Sequence, residues 1–314
     1  MVSYFYLYQL VILLSLEFST VSCDTFYIVT SPSSPCPGEY IGVPCLTLQQ
    51  YASNPSQSQN ITLLVEPEMY DLATVLTVSD GYNFTMSSTN ATVTCTSATA
   101  KFEFNRVENV HISGMTFQGC RNGAAVQMST VTMGIIMRNT FSGNQGNCLQ
   151  ASYSFVNISD SNFYNNRQTY SRALYTSYSN VKIIRSVLSN NGANNPQYGG
   201  AIYARFSNII LESSRLSNNY AYYSGGAIYM DNGNAGNFEL RINDSVLNGN
   251  RAYRGSGGAI CINVLHNLYQ VWYRTNFDLQ ISNTQISYNQ ANQGDGGAIY
   301  LYNNYYDWFY IPNF

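Results

Sequence analysis

The sequence has few charged residues and few prolines. Asp, Glu, Lys and Arg make up 10% of the 314 residues, and the basic residues are scattered singly, so no basic patch for nucleic acid is present. Only Pro196 lies between Pro67 and Pro312, which leaves long stretches free to form uninterrupted strands. After the first residues, no apolar run reaches the roughly 18 residues of a membrane-spanning helix. We therefore expect no nucleic-acid partner and no membrane span within this chain.

A four-residue phrase, Gly-Gly-Ala-Ile, recurs near the end of the chain. Its copies are Gly199–Ile202, Gly225–Ile228, Gly257–Ile260 and Gly296–Ile299. An apolar-x-x-Asn phrase precedes each copy, and weaker versions of both phrases extend upstream to about residue 117. Successive Gly phrases start 23 to 39 residues apart. The shorter spacings fit one coil of a parallel β-helix, with three short strands and three turns, and the longer ones indicate loop insertions.

Each predicted coil contains strands with two distinguishable faces. Phe238–Ile242 and Phe277–Ile281 alternate apolar and polar residues with period two, as half-buried strands do. In the strand after each Gly pair, the isoleucine faces the core and the next residue faces outward. The outward residues predict a column of exposed tyrosines, called here the tyrosine column, in which Cys261 replaces one member. Its members are Tyr175, Tyr203, Tyr229 and Tyr300.

One asparagine stands at the same place in each coil. These residues are Asn144, Asn166, Asn191, Asn219, Asn250 and Asn289. Asn tolerates the left-handed backbone region and bonds its own backbone, so it is typical of turns. Stacked at equal places in successive coils, the side-chain amides can bond one another along the axis. We expect turn formers in an amide ladder rather than ligand-binding residues.

Three segments are distinguished along the chain. Residues 1–23 are typical of a secretory signal peptide, with an apolar stretch at 10–16 and a cleavage site before Asp24. Because a basic N-terminal region is missing, an uncleaved anchor or a buried strand is the alternative. Residues 24–105 are taken as an N-terminal cap and the first irregular coils, and residues 106–314 as the regular solenoid. The aromatic tail 307–314 either closes the last rung or leads into further coils, and the absence of a next Asn phrase favours continuation.

Removal of residues 1–23 would leave six cysteines, an even number that suits disulfides in an exported chain. Cys36 and Cys45 are close in sequence and are expected to pair. Cys95 and Cys120 are 25 residues apart, about one coil, and can lie on adjacent rungs, although a Cys120–Cys148 pair would be an alternative. Cys148 and Cys261 lie four rungs apart, roughly 19 Å at the spacing of neighbouring strands, too far for a disulfide.

Five Asn-x-Ser/Thr sequons fit a glycosylated, secreted product of a eukaryote. The acceptor residues would be Asn60, Asn83, Asn90, Asn157 and Asn243. Chance matches are expected in a chain so rich in asparagine, so the set carries more weight than any member. Together with the leader, the sequons favour a secreted or cell-surface location.

The paired Gly-Gly-Ala-Ile and Phe/Leu-x-x-Asn motifs resemble those of the chlamydial polymorphic outer-membrane proteins, whose passenger regions are β-helical adhesins. The layout from about residue 60 to 314 is similar to secreted, pectin-lyase-like right-handed β-helix proteins of invertebrates such as sponges. This resemblance implies an all-β, right-handed parallel β-helix with an N-terminal cap. For function it implies either a structural or adhesion module or a polysaccharide-cleaving enzyme.

The distribution of polar residues favours the module over the enzyme. A glycoside hydrolase needs a pair of converging carboxylates, and a lyase needs a calcium site and a positioned base. Carboxylates do not recur at matching places in neighbouring coils, and neither His111 nor His266 has a metal ligand at a suitable spacing. We therefore expect no metal, no cofactor and no catalytic residue. The outward tyrosines suit a glycan or an extracellular protein as partner. The alternative is that they only stabilise neighbouring rungs, because Tyr favours strands and stacked aromatics support one another.

Overall fold

A computed structural model of the protein describes residues 23–30, 44–56, 58–167, 171–192, 197–231, 238–264 and 277–303. In chain order the elements are β1 Cys23–Val29, β2 Cys45–Thr47, α1 Leu48–Ser53, β3 Asn60–Val65, β4 Met69–Leu72, β5 Val75–Ser79, β6 Asn83–Cys95, β7 Lys101–Asn105, β8 Asn109–Gln118, β9 Ala124–Ser129, β10 Met133–Met137, β11 Thr140–Ser142, β12 Asn147–Ser152, β13 Phe155–Ser159, β14 Asn162–Tyr164, β15 Leu174–Ser177, β16 Asn180–Ile184, β17 Val187–Ser189, β18 Ile202–Arg205, β19 Asn208–Glu212, β20 Arg215–Ser217, β21 Tyr220–Ala221, β22 Ile228–Asp231, β23 Phe238–Asn243, β24 Val246–Asn248, β25 Arg251–Ala252, β26 Ile260–Val264, β27 Phe277–Ser282, β28 Gln285–Ser287, β29 Gln290–Ala291 and β30 Ile299–Asn303.

The strands stack in parallel into three sheets of 18, nine and three strands. Each regular coil gives one strand to the nine-stranded sheet and two to the 18-stranded sheet, as β15, β16 and β17 do. The next coil repeats the pattern in register, so that Leu174 pairs with Ile202 and Val181 with Ile209. This architecture is a parallel β-helix, which confirms the expected fold.

The core is a column of aliphatic and aromatic side chains inside the coils. Inward residues such as Ile202, Ile228 and Ile260 are completely buried, and their outward neighbours are less so. Three phenylalanines of the Phe-x-x-Asn phrases stack along the axis. Phe141 lies between Phe117 and Phe163, at centroid distances of 4.9 and 4.6 Å. The period-two pattern therefore identified the buried face correctly.

The corners of each coil are made by single residues with positive φ. In one coil these are Tyr178, Arg185 and Asn190, with φ of 49°, 45° and 55°. Tyr and Arg have no intrinsic preference for this region, so sequence propensity does not reveal these corners. A buried polar residue follows each corner residue, and its side chain bonds the neighbouring coil.

The amide ladder is confirmed, but its asparagines are not the positive-φ residues. The left-handed residue is the one before, as Asn190 precedes Asn191. The Nδ2 of Asn191 donates to the carbonyl of Phe163 at 2.9 Å and to Oδ1 of Asn219 at 3.1 Å. The same Oδ1 accepts the backbone N–H of Asn191 at 3.0 Å. Each ladder amide thus satisfies polar groups of two neighbouring coils, as burial requires.

Two serine ladders run along the other corners and were not predicted. In one, the N–H of Ser154 donates to Oγ of Ser179 at 3.0 Å, and the N–H of Ser179 donates to Oγ of Ser207 at 3.1 Å. In the other ladder, the backbone N–H of Ser186 donates to Oγ of Ser214 at 3.2 Å. Serine is common throughout the chain, and its recurrence at coil spacing was the available signal.

The two glycines of each Gly-Gly phrase have different roles. Gly225 has a φ of 69° and forms the turn. Gly226 lies where a Cβ would approach the carbonyl oxygen of Gly258 to 2.2 Å, so any side chain would collide with the next coil. The phrase is therefore required both for a turn and for close stacking.

At the N-terminal end, α1 begins with a capping box between Thr47 and Gln50 and packs Tyr51 into the core. Cys95 and Cys120 form a disulfide, the pair suggested by their one-coil spacing. Cys45 is disulfide-bonded, and Cys36, with which it was expected to pair, lies outside the described residues. The boundary at residue 105 remains a prediction.

Residues 1–22 of the expected leader 1–23 and the aromatic tail 307–314 also lie outside the described residues, while Cys23 is the first residue of β1. In the part of the chain that the structure describes, no helix has the length and apolar character needed to cross a membrane.

Candidate functional site: the aromatic faces of the solenoid

The tyrosine column lies on the outer face of the nine-stranded sheet, in strict register. Tyr175 pairs with Tyr203, Tyr203 with Tyr229, and Cys261 with both Tyr229 and Tyr300. Ring centroids of Tyr203 are 5.5 Å from Tyr175 and 5.4 Å from Tyr229. The sequence thus placed these residues on the correct face and at the correct spacing.

The column is less exposed than expected. Tyr229 is only 7% exposed, and Tyr175, Tyr203 and Tyr300 are half-buried. Tyr198, which precedes a Gly-Gly turn, folds over the sheet and lies 4.5 Å from the ring of Tyr229. The alternation of apolar and polar residues along the strands predicted that each tyrosine points outward. It could not show that Tyr198, which lies in a turn, covers Tyr229. The expectation of an exposed tyrosine was therefore wrong at Tyr229.

The accessible part of this surface is a cluster around Arg172, called here the tyrosine–arginine cluster. It comprises Arg172, Tyr175, Tyr198, Tyr203 and Tyr223. The guanidinium of Arg172 lies 5.0 Å from the ring centroid of Tyr203, and its Nε donates to the carbonyl of Tyr198 at 2.9 Å. Tyr223 packs against Tyr198 at 5.0 Å. Arg172, Tyr198 and Tyr223 come from turns, and a strand-based search of the sequence therefore missed them.

Burial sets the protonation of the groups in and beside this cluster. It lowers the pKa of Arg172 to about 10, so the guanidinium is still a cation at neutral pH. Burial, with the nearby Asp231 carboxylate, raises the pKa of Tyr203 to about 12 and that of Tyr229 further still. These phenols therefore remain hydroxyl donors at neutral pH, beside a cation that carries no salt bridge among the described residues.

Cys148 and Cys261 are free thiols, and both are buried. Burial raises the pKa of Cys261 to about 12 and that of Cys148 beyond it. Only the thiolate is a good nucleophile, so neither sulfur is suited to nucleophilic chemistry. With 4% of its surface exposed, Cys261 is also poorly placed for a disulfide to another molecule.

Two carboxylates do lie in register, contrary to the sequence expectation. Glu239 of β23 pairs with Asp278 of β27, and Arg241 forms ion pairs with both, at 3.7 Å to Asp278. Hydrolysis of a glycosidic bond requires one carboxyl group to donate a proton, whereas both of these carboxylates are ion-paired with Arg241. The arrangement fits an ion-pair cluster on the sheet surface.

The described residues contain no cluster of side chains that could bind a metal ion. No group of three or more His, Cys, Asp and Glu residues lies close enough together to hold an ion. His111 is half-buried on β8, where it pairs with Thr85 and Ile135. His266 lies outside the described residues.

A second aromatic surface, called here the aromatic corner, was not predicted. Tyr153, Tyr178 and Phe206 occupy equivalent left-handed corners of three successive coils, and their rings stack at 4.8 and 4.6 Å. Tyr153 is 62% exposed. Contact between neighbouring coils helps to offset the strain of a bulky residue at positive φ. Each of these aromatics directly precedes a ladder serine in the sequence, which was the available signal.

Beside this corner, the outer face of the 18-stranded sheet bears a groove of about 300 Å³, called here the amide groove. Its lining comprises Met133, Phe155, Val156, Asn157, Asn180, Val181, Lys182, Asn208, Ile210 and Glu239. The Nδ2 of Asn208 donates to Oδ1 of Asn180 at 2.6 Å, and Lys182 forms a salt bridge with Glu212 at 2.9 Å. One sequon residue, Asn157, therefore lies in a pocket.

The other sequon residues lie in different surroundings. Asn83 donates to Asn60 and accepts from Asn109 at 2.9 Å, in a short surface amide ladder. Asn90 is exposed near the middle of β6. Asn243 is half-buried and accepts a hydrogen bond from the hydroxyl of Ser282 at 2.7 Å.

Comparison with known families agrees with this architecture. The Chlamydia polymorphic membrane protein repeat matches residues 213–231, which contain one Asn phrase, Leu216–Asn219, and the following Gly-Gly-Ala-Ile phrase. No curated protein and no solved structure matches the chain. The chain is thus a β-helix repeat protein that resembles the polymorphic membrane proteins in its repeat.

Proposed function

We propose that this chain is an exported, cell-surface β-helix scaffold that acts as an adhesion module through the tyrosine–arginine cluster. The observation that carries the proposal is the register of Tyr175 and Tyr203 on neighbouring strands, with Arg172 against one ring and Tyr198 folded over the sheet. The backbone hydrogen bonds of the sheet hold these side chains in fixed relative positions. A preformed aromatic surface loses little conformational freedom on binding.

The location at a cell surface is supported by two independent features. The matched repeat is described as that of a membrane protein of Chlamydia. The disulfide between Cys95 and Cys120 suits an oxidising, extracellular compartment.

The partner that suits this cluster is a glycan or an extracellular protein. Half-buried tyrosine rings offer apolar faces to sugar rings or aliphatic side chains, and their hydroxyl groups offer hydrogen bonds. Arg172 adds a positive charge beside the rings, and Tyr and Arg are the residue types that dominate binding energy at interfaces. The buried Tyr229 would support the surface from below rather than contact the partner.

The test is a double variant, Tyr175→Ala/Tyr203→Ala, compared with the wild-type chain on a glycan array and in retention on cell surfaces. We expect at least about a tenfold loss of affinity, because truncation of an aromatic anchor commonly costs 2 kcal/mol or more. Tyr164→Ala/Tyr288→Ala is the matched control, since these tyrosines are 40% and 87% exposed elsewhere. Unchanged retention of the first variant, with its circular dichroism spectrum intact, would refute the proposal.

A further inference from the structure

We propose that Asn157 carries an N-linked glycan whose first sugar packs against Phe155 and occupies the amide groove. This inference rests on the export step of the proposed function, because N-glycosylation requires passage through the secretory pathway. It concerns the 18-stranded sheet, not the nine-stranded sheet that carries the tyrosine–arginine cluster.

The first support is the relation of the two residues on β13. Phe155 and Asn157 are separated by one residue, so their side chains leave the same face of the sheet, whereas Val156 and Ile158 point into the core. Phe155 is 54% exposed. The exposed ring is therefore positioned beside whatever is attached to Asn157.

The second support is the direction of the Asn157 amide. Its Nδ2, the atom that would bear the sugar, lies 3.5 Å from the Sδ of Met133 on the neighbouring coil. Met133 is 36% exposed and lines the groove together with Phe155. A sugar on Nδ2 would therefore start between these two exposed apolar side chains.

The third support is the polar lining further along the groove. Asn157 pairs in register with Lys182, and Phe155 pairs with Asn180, which is bonded to Asn208. Amide and ammonium groups are suitable partners for the hydroxyl and acetamido groups of a sugar. The groove thus combines an apolar wall with hydrogen-bonding groups, as a saccharide site requires.

The other four sequons lack this combination. The residue two places before the acceptor is Ser58, Gly81, Ser88 or Arg241, and in the Asn157 sequon it is Phe155. In Asn83 the Nδ2 that would bear the sugar donates to Oδ1 of Asn60, whereas Asn60 and Asn243 accept hydrogen bonds through Oδ1. Asn90 is exposed without an aromatic neighbour at that place, which makes it the natural comparison.

The modification is a glycosyl transfer from a lipid-linked oligosaccharide diphosphate, catalysed by the oligosaccharyltransferase of the secretory pathway. The Nδ2 of Asn157 attacks the anomeric carbon of the first N-acetylglucosamine and loses one proton. The bond from that carbon to the phosphate oxygen breaks, and the lipid diphosphate leaves with the bonding electrons. No oxidant or reductant is needed.

The experiment uses the full chain expressed in a eukaryotic secretory host, with site occupancy measured by mass spectrometry of glycopeptides. Ser159→Ala abolishes the Asn157 sequon and keeps both Asn157 and Phe155. Phe155→Ser keeps the sequon and places a serine two residues before Asn157, as Ser88 stands two residues before Asn90. Thr92→Val abolishes the Asn90 sequon as the control. The same variants made without glycosylation in a bacterial host separate the effect of the glycan from that of the substitution.

We expect Asn157 to be occupied and Ser159→Ala to lower Tm by about 2–4 °C in the glycosylated protein alone. Trimming the glycan to its first sugar should retain the stabilisation, and Phe155→Ser should abolish it. Thr92→Val should leave Tm unchanged in both hosts. Occupancy at another sequon with Asn157 empty, or a Tm that is independent of Phe155, would overturn this inference and leave export intact. A chain that is secreted with no occupied sequon would overturn this inference alone, whereas a chain that is retained inside the cell would overturn the export step of the proposed function.

Discussion

The backbone N–H of Cys120 donates to Oδ1 of Asn144 across 3.0 Å. Cys120 therefore occupies, one coil earlier, the position that asparagine holds in the later coils. Its sulfur bonds to Cys95 of the coil before, with the two Cα atoms 4.7 Å apart. One corner of the solenoid is thus joined covalently at its N-terminal end and by buried amides thereafter.

We predict that Asn191→Ala destabilises the chain by at least about 3 kcal/mol. The substitution removes the bonds of Nδ2 to Phe163 and Asn219 and one of the two acceptors of the Asn166 amide, which keeps its bond to Phe141. Each unsatisfied buried group costs about 1–3 kcal/mol. The measurement is denaturant unfolding followed by circular dichroism. Asn190→Gly is the matched control, because Asn190 has a φ of 55° and glycine adopts that region freely. Equal losses in the two variants would contradict the assignment of the corner and ladder roles.

We predict that Gly226→Ala prevents normal stacking of the coils. An added Cβ would lie 2.2 Å from the carbonyl oxygen of Gly258. Because that oxygen belongs to the hydrogen-bonded backbone of the neighbouring coil, the coils would have to move apart to relieve the clash. The loss should appear as poor expression or as a fall in Tm of more than 10 °C, roughly the effect of several kcal/mol in a chain of this size. Gly81→Ala, where the nearest atom is 3.4 Å away, should leave Tm within about 2 °C.

We predict that Cys95→Ala/Cys120→Ala lowers the free energy of unfolding by about 3 kcal/mol, because the disulfide closes a loop of about 25 residues in the unfolded chain. Equilibrium unfolding of the oxidised wild type and the double variant provides the measurement. Wild-type protein unfolded with reductant present should behave like the variant. A stable wild type that is indifferent to reductant would show that the bridge contributes little.

We predict that Cys148 and Cys261 are unreactive in the folded protein. Because burial raises the pKa of both thiols, little thiolate forms at pH 8, and alkylating reagents have no access. Mass spectrometry after iodoacetamide treatment should find neither thiol labelled in the native protein and both labelled in denaturant. Rapid labelling of Cys261 in the native state would contradict its burial within the tyrosine column.

We predict a loss of stability in alkali that is centred on the tyrosine column. An unfolded tyrosine ionises near pH 10, whereas burial raises the pKa of Tyr203 to about 12. The unfolded state therefore releases its proton first, so this contribution is fully present below pH 10 and is lost as the pH rises from 10 to 12. Absorbance at 295 nm and circular dichroism, recorded together, should show ionisation of the column accompanying unfolding. In Tyr203→Phe, the alkaline loss should be smaller.

Much of the fold could be predicted from the sequence because its rules are local and repeated. The Gly-Gly-Ala-Ile and Asn phrases return once per coil, and alternation around Ile202 and Ile228 identifies the buried face. The corners were harder, because Tyr178 and Arg185 adopt positive φ only under the constraint of neighbouring coils. The ladder position of Asn191 was predicted, but its backbone region was not.

The residues of the candidate sites also differ in how well the sequence predicts their position, depending on whether they lie on strands or in turns. Tyr175 and Tyr203 lie on strands, so their direction followed from alternation. Arg172 and Tyr198 lie in turns, whose paths depend on packing and leave no period in the sequence. Burial of Tyr229 follows from the position of Tyr198, and the groove at Asn157 depends on Met133 of another coil. Such relations between coils appear only when the register between strands is known.

The bonds between coils also determine how the scaffold would carry mechanical force. A pull along the long axis loads every hydrogen bond between two neighbouring coils at once, including the one from Asn191 to Asn219. Rupture would therefore need many bonds to fail together, while a pull on one free strand would peel them in sequence. The Cys95–Cys120 bridge spans one such junction covalently, so under load that junction should be the last to separate.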